Sequence, residues 1–180
     1  MTKTDRIYLI GPRGSGKTTV GRMLAQRLGC GFLDADAELE TRTGQTVAEI
    51  FTCAGESGFR DHEAALLAAL ATLDTHVVAC GGGVVLRSEN RKLLRATGLC
   101  IWLTGDPATL SRRLEGDPVS ASRRPALTDL PGPAEIERLV REREPLYREV
   151  AHLIVGTDGR PPDVIVSDIL SAWPSSFSSP

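Results

Sequence analysis

Near the amino terminus, Gly11-Pro12-Arg13-Gly14-Ser15-Gly16-Lys17-Thr18 satisfies the pattern G-x-x-x-x-G-K-[ST] in full. Each residue type has a physical task. The glycines let the backbone turn so that successive N–H groups, and the positive end of a following helix, face one anionic group. A lysine in this place reaches the outer phosphates of a nucleotide, and the next hydroxyl can ligate Mg²⁺. The pattern has this meaning only between a strand and a helix. Ile7-Tyr8-Leu9-Ile10 is a short apolar run halted by Gly11-Pro12, and Lys17 to Leu28 carries Val20, Leu24 and Leu28 at helical spacing, so the context is met. A glycine-rich turn with a chance lysine is the plain alternative, and the complete match in the required place outweighs it. The segment reads as a nucleotide phosphate site.

Such a site usually has a second carboxylate at a nearby strand end, ordering Mg²⁺ through water. Asp34, after Phe32-Leu33, stands in that place. Asp34 and Asp36 also suit a helix N-cap, and the two roles are compatible. Mg²⁺ would offset charge on the departing ADP, leaving the transfer to alignment and electrostatics. The loop alone does not separate a kinase from a GTPase switch or a motor ATPase. No Asn-Lys-x-Asp guanine-reading motif is present, and 180 residues leave no room for a coupled mechanical domain, which weakens both of those readings.

The elements that must position these groups alternate β with α. After the first strand and helix, Phe32-Leu33 predicts a second short strand. Polar helical segments follow at Asp36–Thr43 and Thr46–Cys53, then a longer helix from about Gly58 to Leu73 with apolar positions at Ala65, Leu66, Ala69, Leu70 and Leu73. His76–Cys80 predicts a third strand ending in Gly81-Gly82-Gly83. Leu99–Leu103 predicts a fourth, before Asp106 as a helix cap and Pro107 in the first turn. A helix from Ala134 to about Val150, a strand at His152–Val155 and a helix at Asp163–Ala172 complete the series. Five apolar strands separated by helices imply a parallel sheet covered on both faces, with the ligand at the carboxyl ends of the strands. The stretch from about 115 to 133, rich in Gly, Pro, Ser and Arg, reads as a mobile lid.

Length and 41% hydrophobic content suit one domain over residues 1–173, with the Ser/Pro-rich 174–180 tail expected to be disordered. The formal charge of −2, with signs interleaved, offers no broad cationic face for nucleic acid or a membrane surface. The four cysteines form no CxxC pair and read as core residues of a reducing compartment. No apolar run approaches the roughly 18 residues of a membrane span, and Met1 to Asp5 lead directly into a strand, so a cytoplasmic protein is expected.

Beyond the phosphate loop stand Asp34-Ala35-Asp36, Gly55-Glu56-Ser57-Gly58-Phe59-Arg60, Gly81-Gly82-Gly83, Arg124-Pro125 and Arg143-Glu144-Pro145-Leu146-Tyr147. In this order, from about Ile7 to Ile169, the chain resembles the shikimate kinases. Gly11-Pro12-Arg13, Thr18-Thr19-Val20-Gly21 and Leu146 to His152 further resemble the second of the two isoenzymes of enteric bacteria. The resemblance implies a three-layer P-loop fold like that of nucleoside monophosphate kinases, with a five-stranded parallel sheet and a lid. It implies ATP and shikimate as partners, Mg²⁺ as cofactor, and a monomer acting in aromatic amino acid biosynthesis.

Carried over residue by residue, the resemblance implies that Gly11, Pro12, Arg13, Gly14, Ser15, Gly16, Lys17, Thr18 and Thr19 bind ATP. Arg113, Arg124 and Arg160 would join them, with Thr18 and Asp34 on the metal. Lys17, Asp36 and Arg124 are the implied catalytic residues, Arg124 being a lid arginine that swings to the phosphates, although Arg123 is adjacent. Asp36 would accept hydrogen bonds from shikimate hydroxyls, as general base or only as orienter. Arg60 and Arg143 would hold its carboxylate while Gly81, Gly82 and Gly83 present bare backbone to its ring. Glu63, one turn after Arg60, would fix that arginine's rotamer. Taken singly, Arg60 and Glu63 also read as a solvated helix pair, Arg143 as one charge in a mixed run and the glycines as a plain loop; the ordered set favours the site. His62, His76 and His152 receive no catalytic role. The rivals are a kinase for another polyol acid such as gluconate, and a nucleotide-dependent binding switch.

Overall fold

In the computed structural model, residues 6–73, 76–116 and 132–172 are described. Strand β1 (Ile7–Ile10) is buried along its whole length, so both of its faces must be covered. It lies at the centre of a parallel sheet with β2 (Gly31–Asp34), β3 (His76–Ala79), β4 (Leu99–Thr104) and β5 (Leu153–Gly156), in the order β2-β3-β1-β4-β5. Leu9 is in register with Ala79 on one side and Ile101 on the other, and Asp34 also pairs with Ala79. The carboxyl ends of β2, β3 and β1 therefore lie side by side, where an open α/β sheet binds its ligand.

Seven helices accompany the sheet among the described residues: α1 (Lys17–Leu28), α2 (Ala35–Thr43), α3 (Val47–Leu70), α4 (Ser88–Thr97), α5 (Pro107–Glu115), α6 (Gly132–Val150) and α7 (Pro162–Ser171). Strand alternation sorts them into layers. Ile7 and Leu9 pack with Val20 and Leu24 of α1 and Ile165, Val166 and Ile169 of α7. Tyr8 and Ile10 pack with Ile50, Phe59 and Leu67 of α3, Leu94 of α4, and Tyr147 and Val150 of α6. Each fully buried aliphatic side chain contributes about 1.5–3 kcal/mol. The two layers thus clamp β1 and fix the loop that leaves it.

The expected five-stranded α/β architecture is the one found. The two helical segments expected around residue 55 are joined in α3, with a break at Gly55, whose φ of 67° and ψ of −174° lie outside the helical region. Thr46 and Glu49 form a reciprocal capping box that starts α3: Glu49 N donates to Thr46 Oγ1 at 3.2 Å and Thr46 N to a Glu49 carboxylate oxygen at 2.7 Å. Asp106 caps α5 by accepting from Thr109 N, with Pro107 in the first turn as the sequence predicts. Strand β5 begins one residue later than expected, because His152 acts as a clasp. Its Nδ1 accepts from Cys100 N at 3.0 Å while its own N–H donates to Cys100 O at 2.8 Å.

The sequence reading named no element at α4, which is polar over most of its surface and buries only Asn90 and Leu94. Most of the expected lid, residues 117–131, and the 174–180 tail lie outside the described residues. No helix among the described residues is long and apolar enough to cross a membrane.

Candidate active site

The turn after β1 leaves no room for a side chain at Gly11, where a Cβ would stand 2.2 Å from the Leu103 carbonyl oxygen, and φ is 137°. The loop then enters α1 through Gly16 in the left-handed region. Neither a side-chain cap nor an acidic first-turn residue occupies the amino-terminal end of α1. The N–H groups and dipole there are available to an anion. Lys17 lies back along the loop, its Nζ donating to Gly11 O at 2.9 Å and Pro12 O at 2.7 Å.

Thr18 Oγ1 donates to Asp34 Oδ2 at 2.7 Å, while Asp34 Oδ1 accepts from Asp36 N at 3.1 Å and Ala37 N at 3.4 Å. The two readings of Asp34 therefore coexist in one side chain. One oxygen caps α2, which fixes the carboxylate, and the other meets the P-loop hydroxyl. Two hard oxygen donors so placed suit Mg²⁺, which takes few protein ligands and keeps waters and substrate phosphates for the rest.

A cavity of about 320 Å³ opens between these groups. Its wall includes Arg13, Gly14, Lys17, Thr18 and Thr19 from the loop and α1, Asp34 at the end of β2 and Asp36 in the first turn of α2, and Cys80, Gly81 and Gly82 after β3; Arg113 and Leu114 of α5 close one side. Gly11, Pro12 and Ser15 shape the turn without lining the cavity. Burial pushes the Cys80 thiol well above its usual range, so it stays protonated and inert.

Two arginines stand behind the glycine loop. Arg60 of α3 is 5% exposed. Its Nη1 donates to Glu63 Oε2 at 2.7 Å, the i,i+3 pair that the spacing predicts. Its Nη2 also meets Glu56 Oε1 at 3.2 Å, and Glu56 is half exposed. The guanidinium therefore sits between an inner carboxylate and an outer one. The Gly83 backbone lies against it so closely that a Cβ there would be 2.3 Å from Nη1 and Nη2. Glycine at 83 makes room for the arginine, a reason the sequence reading did not supply. Arg143 of α6 is 8% exposed, and its positive charge bears on the Tyr147 hydroxyl, one helical turn on. Burial raises Tyr147 to about 12, partly offset by the positive charge of Arg143 and Arg60.

Arg113 is anchored at the cavity: Nη1 donates to Gly14 O at 3.2 Å and Thr157 Oγ1 at 3.0 Å, and Nη2 to Thr157 O at 2.7 Å. Arg160 is placed elsewhere, donating to Gly156 O at 3.0 Å and paired with Asp168 of α7. It lines a separate groove beside β5. Arg123 and Arg124 lie outside the described residues. Sequence reasoning gave no role of their own to Glu56 or Tyr147, while Thr157 was expected only as part of the 157–161 loop near adenine. Tyr147 had a signal, its i,i+4 spacing from Arg143.

Comparison with known proteins decides the lineage. The shikimate kinase family profile matches residues 13–174. The chain belongs to the shikimate kinase family. A shikimate kinase of Rhodopirellula baltica is 43% identical over 97% of this chain and 94% of its own length. Shikimate kinase 2 of Dickeya chrysanthemi is 43% identical over 93% of this chain and 95% of its own. The solved shikimate kinase of Acinetobacter baumannii in complex with shikimate superposes with a TM-score of 0.87 at 38% identity, covering 93% of this chain and 92% of that one. Membership of the shikimate kinase family makes the chain an ATP-dependent kinase acting on an alcohol group.

Proposed function

We propose that this chain transfers the γ-phosphoryl group of ATP to the 3-hydroxyl of shikimate, giving 3-phosphoshikimate and ADP in aromatic amino acid biosynthesis. The observation that carries the reading is one cavity in which the P-loop groups Lys17 and Thr18 face Asp36, Gly81 and Gly82. Phosphate and alcohol chemistry thus share one space.

The P-loop amides and Lys17 hold the outer phosphates, and Arg13 and Arg113 border them. Thr18 and Asp34 would hold Mg²⁺, which supplies charge neutralisation on the phosphate oxygens when bound. Asp36 accepts the hydrogen bond of the shikimate hydroxyl and so directs an oxygen lone pair at the γ-phosphorus. As the new P–O bond forms, the hydroxyl gives up its proton to the Asp36 carboxylate with which it is hydrogen-bonded. The bond to the bridging oxygen breaks, its electron pair leaving with ADP. Arg60 and Arg143 hold the shikimate carboxylate through charge-assisted hydrogen bonds, and Gly81 to Gly83 let backbone approach the ring. Arg124 is proposed to bring a further cation to the phosphates as residues 115–133 close, which would exclude competing water. A monomer in the cytoplasm fits a site built from one chain with ATP as co-substrate.

The test is ADP release from MgATP by the purified protein, with and without shikimate, beside gluconate and quinate. Stimulation by shikimate alone is expected. Equal stimulation by gluconate would return the polyol-acid reading, and slow turnover unaffected by all three acids would return the binding switch.

A further inference from the structure

We infer that Tyr147 is a positioning residue for the acceptor, holding the Gly81–Gly83 loop and the Arg143 guanidinium in register with each other. This rests on the acceptor reading proposed above and adds a residue to which that reading gives no part. The Tyr147 hydroxyl is fully inside the protein and donates to the Gly82 carbonyl. The flanking carbonyls are satisfied within the turn, Gly81 O by Val84 N at 3.1 Å and Gly83 O by Leu86 N at 3.0 Å. The middle carbonyl is the one aimed at the tyrosine. A buried carbonyl deprived of its donor is costly, so the hydroxyl fixes the plane of the Gly82 peptide.

The ring itself is held in place. It stacks on Trp102, with centroids 5.7 Å apart and planes 26° apart, and Arg148 stands over the Trp102 ring at 5.5 Å. Trp102 in turn borders the P-loop, its Cδ1 lying 3.2 Å from where a Gly11 Cβ would be. The glycine loop abuts the same segment: a Cβ on Gly82 would lie 3.5 Å from Gly11 O, 3.7 Å from Arg13 N and 3.7 Å from the Tyr147 hydroxyl. The Arg143 charge bears on that hydroxyl, so one oxygen stands between the helix α6 arginine and the loop that borders the phosphate cavity. Burial keeps the phenol protonated across the working pH range, so it acts as a fixed donor and not as an acid.

A tyrosine that only fills the core would be replaced by phenylalanine with a loss of melting temperature and little else. A positioning tyrosine gives a different pattern. In Tyr147→Phe the stack is kept and the hydroxyl removed, and the shikimate KM is expected to rise by about tenfold, the effect of losing one buried hydrogen bond, while the MgATP KM stays within about twofold. Tyr147→Met, a flexible side chain that fills the space without a hydroxyl, serves if the phenylalanine variant melts below the assay temperature. Unchanged KM values beside a shikimate-stimulated wild type, or equal rises in both KM values, would overturn the inference and leave the acceptor reading intact. A wild type that shikimate does not stimulate would overturn the acceptor reading, and this inference with it.

Discussion

The phosphate side and the proposed acceptor side of the cavity are built in opposite ways. The phosphate side comes from one continuous segment, Gly11 to Thr19, and works largely through backbone N–H groups fixed by glycine geometry and by the buried strand behind them. The proposed acceptor side draws on Asp36 at the start of α2 and the loop after β3, with the buried arginines Arg60 of α3 and Arg143 of α6 outside the cavity wall. Of these, Arg60 is held by the buried charge of Glu63. A contiguous backbone site tolerates changes at a distance. An assembled one transmits them, because each guanidinium is oriented by a partner from another position.

The sharpest break of the phosphate side is Lys17→Ala. It removes the lysine of the motif and leaves Arg13 and the backbone cradle in place. Turnover is expected to fall by about 10²–10³-fold or more, the scale of losing a preorganised transition-state donor. Circular dichroism and melting should stay close to wild type, since Lys17 lies in the loop and donates to the carbonyls of Gly11 and Pro12. Appreciable activity in the folded variant would refute its role.

On the other side, Arg60→Ala should cost about 2–5 kcal/mol in shikimate binding, because it deletes a desolvated anion partner and leaves Glu63 buried with the pair broken. ATP binding, read by calorimetry, should be near normal. That split in one variant would establish the two-sided construction, and an unchanged shikimate affinity would remove Arg60 from the site. Gly83→Ala probes the same contact without touching a charge. The added Cβ would stand 2.3 Å from the guanidinium, so the arginine must move off its Glu63 bond or the loop must shift. A rise in shikimate KM of about tenfold is expected, corresponding to about 1.4 kcal/mol, with MgATP KM little changed. Equal effects on both substrates would mean that the loop serves the whole cavity and not its acceptor side.

The two sides were also unequally legible. The P-loop and its flanking elements could be read directly because motif, strand and helix are adjacent in the chain, and the unbroken apolar run of β1, buried at every position, makes a central strand conspicuous. The Arg60–Glu63 pair was legible for the same local reason, a spacing of three on one helix face. What stayed hidden depends on contacts across long sequence separations. The Gly83–Arg60 approach and the Tyr147–Gly82 bond join residues that no local pattern relates. Helix α4 escaped because it is polar almost throughout and held to the rest by side chains such as Arg91, bonded to Val85 O and Glu149, and Asn90, bonded to Val84 O. Its apolar face is narrow, Leu93 and Leu94 being the side chains that reach the core.

The smallest effect separates two arginines that the sequence placed together. Arg113 and Arg160 were both expected at the nucleotide, yet Arg113 reaches Gly14 O and Thr157 at the cavity edge whereas Arg160 pairs with Asp168 on the far side of β5. Arg113→Ala removes three recorded hydrogen bonds and a cavity wall. The MgATP KM should rise by about fivefold to tenfold, the scale of one ordinary net hydrogen bond. Arg160→Ala should alter the MgATP KM by less than about twofold and stability by about 1 kcal/mol or less, as for other partly exposed ion pairs. A charge reversal sharpens the contrast, because Arg160→Glu faces Asp168 with a like charge and should lower the melting temperature further without moving the MgATP KM. A tenfold KM effect at Arg160 would mean that the loop after β5 rearranges when nucleotide binds, bringing this arginine from its α7 partner to the phosphate side, and would make that loop as much a part of the site as the P-loop.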